Sequence, residues 1–316
     1  MSIQKECFEC FDVYTSGEGK SFVYAEFRND KAFINGLIDY FFKETNLLNY
    51  ARRNNRINFS GTDRQYAKLY SNISVFLNRE LETLAVGVIN EEEKRVIEQE
   101  YKFIDNNGKL MVQNDKVGKI GEYIFHLLLN EYFGLECILP KFKCITDRNM
   151  SVFGIDTLFL DIDKKILFFG ESKFCKTIDN GIILINRSLK DYEQQIDEEY
   201  RIVLTNDDAF NISPEFKRLF GDTRQMAISF KKFIEMTSIK QIGVPIFIAH
   251  GNDVCEGITP EKYIHKMINK ISKENFFGVN VKYIFISLPV IDKNKFIEKS
   301  IIKVVEKQNE YRSRIS

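Results

Sequence analysis

The spacing of apolar side chains divides the chain into a helical stretch and a later stretch of strands bracketed by helices. After a short extended start, SFVYAEF, the residues Phe33, Ile34, Leu37, Ile38 and Phe41 share one helical face, and so do Tyr66, Leu69, Tyr70, Ile73, Phe76 and Leu77. Such three- and four-residue spacing marks helices that bury one side. A charge-rich helix follows from Glu91. The segment IDNNGKLMVQND carries an Asn-Gly turn signal and places a boundary near residue 110, between a mainly helical region (1–110) and an α/β region (111–316).

Beyond that boundary, Gly118 to Phe133 predicts an apolar helix stopped at Gly134. CILPKFKC predicts a short strand, and FGIDTLFLDI, a DKK turn and ILFFGESK predict a hairpin. An amphipathic helix with Leu189, Tyr192, Ile196 and Tyr200 comes next. The strand VPIFIA, a helix opened by Thr259 as N-cap and Pro260 as first residue, the strand VKYIFISL and a charged C-terminal helix complete the pattern.

At 316 residues, 44% hydrophobic and 28% charged, the chain can bury a sizeable core and has room for two domains. No apolar run reaches the roughly 18 to 20 residues that span a bilayer, and MSIQKECFECFD lacks the layout of a signal peptide. The expectation is a soluble, cytoplasmic protein. Six cysteines, most of them in apolar segments, fit reduced thiols. The Cys7/Cys10 pair has no second pair at zinc-ligand spacing. The formal net charge is zero, so binding to nucleic acid must come from local patches or from a partner.

The chemistry concentrates in ILFFGESK. Alternation along a strand puts Glu171 and Lys173 on one face with Leu167 and Phe169, and Ser172 on the other. Asp156 begins the preceding strand, with fourteen residues between it and Glu171, and a tight antiparallel hairpin brings the start of one strand beside the end of the other. Asp156 and Glu171 should therefore meet. Two close carboxylates repel unless one protonates or a cation sits between them, and oxygen ligands in that arrangement suit Mg2+ or Mn2+. Such a cation assists phosphodiester hydrolysis, and Lys173 can orient the attacking water or stabilise the transition state. Other ExK matches, Glu18/Lys20, Glu92/Lys94, Glu100/Lys102 and Glu215/Lys217, do not end an apolar strand paired with an aspartate. The competing structural explanation is a solvated strand end with an incidental salt bridge.

Glu122 lies in helical line with Phe125 and Leu129 and is a third candidate acid, with Gly118 and Gly121 as points of close backbone approach. Lys141, Lys143, Arg148, Lys176 and Gln195 are candidate substrate contacts, the basic ones suited to phosphates. Asp161 and Asp163 belong to turn chemistry. The three histidines, His126, His250 and His265, are dispersed, and neither a Gly-rich phosphate loop nor a G-x-S-x-G elbow occurs.

The order helix, three strands, helix, strand from residue 117 is that of the PD-(D/E)xK nuclease core, a restriction-endonuclease-like mixed sheet. Through GKIGEYIFHLLLNEYFG, LPKFK, the GID hairpin and GESK, the chain resembles the HamA family, the nuclease subunit of Hachiman antiphage defence, over residues 20–210. The resemblance implies a metal-dependent deoxyribonuclease held by a superfamily 2 helicase, HamB, restrained at rest and cutting DNA with little sequence preference once the helicase engages. It implies Glu122, Asp156 and Glu171 as metal ligands and Lys173 as the catalytic lysine; the mainly helical N-terminal region is expected to dock the helicase. The last hundred residues match no family motif. The alternatives are a restriction enzyme with its own recognition element, and a non-catalytic DNA-binding or assembly subunit that keeps the nuclease fold.

Overall fold

A computed structural model describes residues 3–27, 29–48, 61–78, 83–85, 90–106, 109–113, 117–139, 155–161, 163–205, 228–237, 239, 241–251, 259–271, 273 and 275–315. The chain opens with a meander, β1 (Gln4–Phe8), β2 (Phe11–Ser16) and β3 (Gly19–Tyr24), followed by helices α1 (Asp30–Phe41), α2 (Asp63–Asn78) and α3 (Glu91–Glu100). The extended start is thus longer than SFVYAEF. Between them and after them lie β4 (Thr83–Ala85), β5 (Lys102–Asn106) and β6 (Lys109–Gln113), which form a small antiparallel sheet of their own. The segment expected to mark the boundary is therefore built into the β5–β6 hairpin, with Asn106 opposite Lys109.

From Val117 the elements are α4 (Val117–Glu131), β7 (Glu136–Leu139), β8 (Thr157–Asp161), β9 (Ile166–Cys175), α5 (Ile178–Ser188), a 3-10 turn at Leu189–Asp191, and α6 (Tyr192–Thr205). Then come α7 (Phe230–Met236), β10 (Gln241–Gly251), α8 (Pro260–Lys270), β11 (Asn275–Phe276), β12 (Val279–Val290) and α9 (Lys293–Ser313). α4 ends where Gly134 takes φ +64°, the left-handed stop its sequence predicts. One helix was expected after the hairpin; there are two in succession. Thr177 caps α5 by accepting from the Asn180 N–H, and Ile178, Ile182 and Ile185 give that helix a buried face of its own.

The main sheet runs β1-β2-β3-β12-β10-β9-β8-β7, with β11 pairing off β12. β7, β8 and β9 are antiparallel neighbours, whereas β10 is parallel to both β9 and β12, and β12 is parallel to β3. The N-terminal meander therefore extends the same sheet as the C-terminal strands. Alternation along β9 sorts its side chains onto two cores: Phe168 and Phe174 pack with the apolar residues of α4, and Leu167 and Phe169 with α5 and α6. At Gly170 an added Cβ would lie 2.1 Å from Thr157 Oγ1 and 2.7 Å from the Phe125 ring, so only glycine lets α4 and β8 close on β9 there. Gly121 is under no such pressure, since a Cβ there would meet Phe174 Cβ at an ordinary 3.5 Å. No helix among the described residues is long and apolar enough to cross a membrane.

Candidate active site

The β8–β9 register fixes the central geometry. Thr157 pairs with Gly170 and Leu158 with Phe169, so Asp156, one residue ahead of β8, falls opposite Glu171. The Asp156 N–H donates to the Gly170 carbonyl at 3.0 Å, which carries the pairing one step further. Asp156 Oδ2 in turn accepts from the Ser172 N–H at 2.6 Å and from the Ser172 hydroxyl at 2.7 Å. These two bonds leave the other carboxylate oxygen, Oδ1, clear of Ser172.

Glu171 is only 4% exposed. The expectation of a pair at the rim of a core strand needs correcting, because β9 continues two residues past Lys173 and takes Glu171 into the interior. Lys173 Nζ forms an ion pair with Glu171 and also donates to the Ser172 carbonyl at 3.1 Å. One lysine faces two carboxylates here, leaving an excess negative charge in a poorly solvated place. Burial pushes the Glu171 carboxyl above its ordinary range; Asp156 pushes it further, and Lys173 and Ser188 offset only part of this. Burial alone would lower the Lys173 ammonium, but Glu171 and Asp156 outweigh it and hold the lysine firmly protonated.

Two tyrosines that sequence reasoning missed border this cluster. Tyr192 donates to the Phe169 carbonyl at 2.8 Å, and its phenol is raised well above the ordinary value by burial and by the fields of Glu171 and Asp156. Tyr101, the first residue past α3, packs against the cluster formed by Val96, Ile97, Cys175 and Leu184. Its phenol is raised by burial and feels both Lys173 and Glu171. Neither tyrosine carried a sequence signal beyond its apolar spacing.

The other expected site residues are placed differently. Glu122 stands on α4, where both carboxylate oxygens accept from Lys119 Nζ at 2.7 and 2.8 Å. Among the described residues no three His, Cys, Asp or Glu side chains converge as a metal-holding group, so the structure joins Asp156 to Glu171 without assembling Glu122 into a set of three. Lys176 is tied to α3, its N–H donating to Glu100 Oε1 and its ammonium to the Gln99 carbonyl, both at 2.8 Å. Gln195 lies half-buried on α6, next to the buried Ile196. Lys141, Lys143 and Arg148 fall outside the described residues.

Glu100, set aside as one of the stray ExK matches, anchors a buried network. Its Oε2 accepts from Lys293 Nζ at 2.7 Å, with the side chains 1% and 4% exposed, and its Oε1 accepts from the Lys176 N–H and from Asn180 Nδ2 at 2.7 Å. At the other end of α3, Glu93 pairs with Arg187 and Lys190, which follow one another around the C-terminus of α5. α3 therefore lies antiparallel along α5, fastened at both ends.

A mixed α/β protein with two apposed carboxylates and a lysine within a buried hairpin is what the fold and site define. The HamA family model matches residues 2–304, and the chain belongs to the HamA family, a component of Hachiman antiphage defence. The match is wider than the 20–210 expected and takes in most of the last hundred residues. No curated protein and no solved structure matches the chain.

Proposed function

We propose that the chain is a metal-dependent deoxyribonuclease of the PD-(D/E)xK type, acting in the cytoplasm as the effector of its defence system together with a helicase subunit. The observation that carries this reading is the apposition of Asp156 and Glu171 with Lys173 in a buried place with one negative charge too many. The run α4, β7, β8, β9, α5/α6, β10, with β10 parallel to β9, supports a restriction-endonuclease-like core. Family membership supports the defence role and the helicase partner.

The donor set suits a hard divalent cation. Mg2+ keeps several waters and is commonly held by one or two carboxylates plus substrate phosphate oxygens, so a pair of acids is enough, and the excess negative charge favours a cation. Asp156 and Glu171 would hold the ion, with Glu122 a further ligand candidate on the adjoining helix. When bound, such an ion polarises a phosphoryl oxygen and acidifies water. The chain's own groups do the rest. Ser172 fixes the Asp156 carboxylate through two hydrogen bonds, and Lys173, kept protonated, offers a positive charge to the pentavalent phosphoryl group or to the entering water. Lys176 follows β9 and Gln195 lies on α6, and Lys141, Lys143 and Arg148 precede Asp156 in sequence; all five are candidates for positioning the DNA backbone.

The test is degradation of plasmid and linear DNA with Mg2+ by the chain alone and with the helicase encoded beside it and ATP, comparing wild type with Glu171→Ala and Lys173→Ala. Cleavage abolished by either substitution is the expected result. Absence of metal-dependent cleavage in every setting, or mutants that cut like wild type, would leave a DNA-binding or assembly subunit that retains the fold.

A further inference from the structure

We propose that Tyr101 is a substrate-contacting residue of this site, its phenol donating a hydrogen bond to a non-bridging oxygen of the phosphodiester; the inference rests on the nuclease reading above. Tyr101 comes from outside the hairpin that supplies the other groups. It reaches the site because α3 lies along α5 and ends there, with the Tyr101 N–H closing the helix on the Ile97 carbonyl at 2.9 Å.

Three observations place its ring. It packs against a small cluster that includes Cys175, which shares a face of β9 with Lys173 and Glu171, so the neighbouring side chains along that face are the catalytic candidates. The same cluster includes Leu184 of α5, which sets Tyr101 beside both that helix and the strand. The electrostatic coupling of its phenol to Lys173 and Glu171 is consistent with this position.

The backbone just before Tyr101 is held with unusual thoroughness. Glu100 is locked by a buried lysine, a backbone N–H and an asparagine amide. Burying an ion pair brings little net stability over an apolar contact of the same size, but it fixes position sharply, because any displacement strands a charge. The residue so positioned is a tyrosine beside the strand face that carries Lys173 and Glu171. A neutral phenol suits that place: it adds no charge to a site already rich in negative charge, and its hydrogen is available to an incoming phosphate oxygen.

The experiment uses the chain with its helicase, ATP and Mg2+, and measures kcat and KM on linear DNA for wild type, Tyr101→Phe and Glu171→Ala. Tyr101→Phe keeps the ring and its packing and removes only the hydroxyl. The expected result is a kcat lowered on the order of tenfold to a hundredfold, as for loss of a hydrogen bond to a charged group, with an unchanged Tm. Substrates carrying a single phosphorothioate at a defined cleavage position provide the second readout. Sulfur accepts hydrogen bonds weakly, so one diastereomer should narrow the gap between wild type and Tyr101→Phe. A Tyr101→Phe protein as active as wild type, beside an inactive Glu171→Ala, would overturn the inference and leave the nuclease reading standing. A slower Tyr101→Phe with a lowered Tm and the same deficit on every diastereomer would make Tyr101 a structural wall. A wild type that cuts nothing removes the nuclease reading and this inference together.

Discussion

Two buried glutamate–lysine pairs meet α5 and the C-terminal part of β9, and they differ in charge balance. Around Glu100 and Lys293 one carboxylate faces one ammonium, and a backbone N–H and an asparagine amide satisfy the remaining lone pairs. Around Glu171 and Lys173 a second carboxylate, Asp156, is forced in by the hairpin register, and the glutamate is driven toward protonation. The first arrangement is complete and holds helices to a strand. The second is left with more negative than positive charge, and the divalent cation of the proposed function would supply the balance.

That contrast breaks most visibly in activity. Glu171→Ala and Lys173→Ala should each lower DNA cleavage on the order of a thousandfold while far-ultraviolet circular dichroism stays native, as expected when a group acts on developing phosphoryl charge. The balanced pair should respond in stability instead. Lys293→Met leaves Glu100 buried without its counter-ion and should cost about 3 to 5 kcal/mol, read as a lowered denaturant midpoint with an unchanged m-value. A smaller effect, specific to the unbalanced pair, is the pH dependence of metal affinity. The Glu171 carboxyl titrates above its ordinary 4.5 in the folded protein, and a protonated carboxyl does not bind a cation. Mn2+ affinity measured by calorimetry should therefore rise with pH until Glu171 is ionised, by up to about tenfold per unit below that point, with proton release over the same range. An affinity flat from pH 5 to 8 would remove Glu171 from the ligand set. The smallest effect expected is that of Asn180→Ala, which takes one donor from Glu100 and should cost about 1 to 2 kcal/mol in thermal or chemical unfolding.

Much of this was legible in the sequence. The faces of α1, α2 and α4, the hairpin around Asp163–Lys165, and the order of elements from α4 to β9 followed from spacing and turn chemistry, while the helices between β9 and β10 were only partly foreseen. Asp156 and Glu171 could be paired because antiparallel register is a local rule. What escaped was set by distant partners. The β1–β3 meander could not be assigned to the main sheet because its neighbour, β12, lies at the far end of the chain. Glu100 looked like one more charge on a polar helix, and only Lys293 and Asn180 make it an interior residue. Tyr101 was unreadable for the same reason, since its place depends on how α3 is fastened. Glu122 shows the converse: its helical line with Phe125 held, but Lys119, one turn earlier, takes its carboxylate.

The pairing of Gly19–Ser21 with Phe285–Ser287 has a consequence for how the protein is made. The hairpin bearing Asp156, Glu171 and Lys173 is local and can form while the ribosome is still at work, but the strand that receives β3, and the lysine that seats Glu100, emerge only after nearly the whole remaining chain. Nascent and prematurely terminated products thus carry the acids without the surrounding wall. For a protein whose proposed activity is to destroy DNA, the order of synthesis leaves the Glu100–Lys293 anchor and the β3–β12 pairing unmade until nearly the whole chain has emerged.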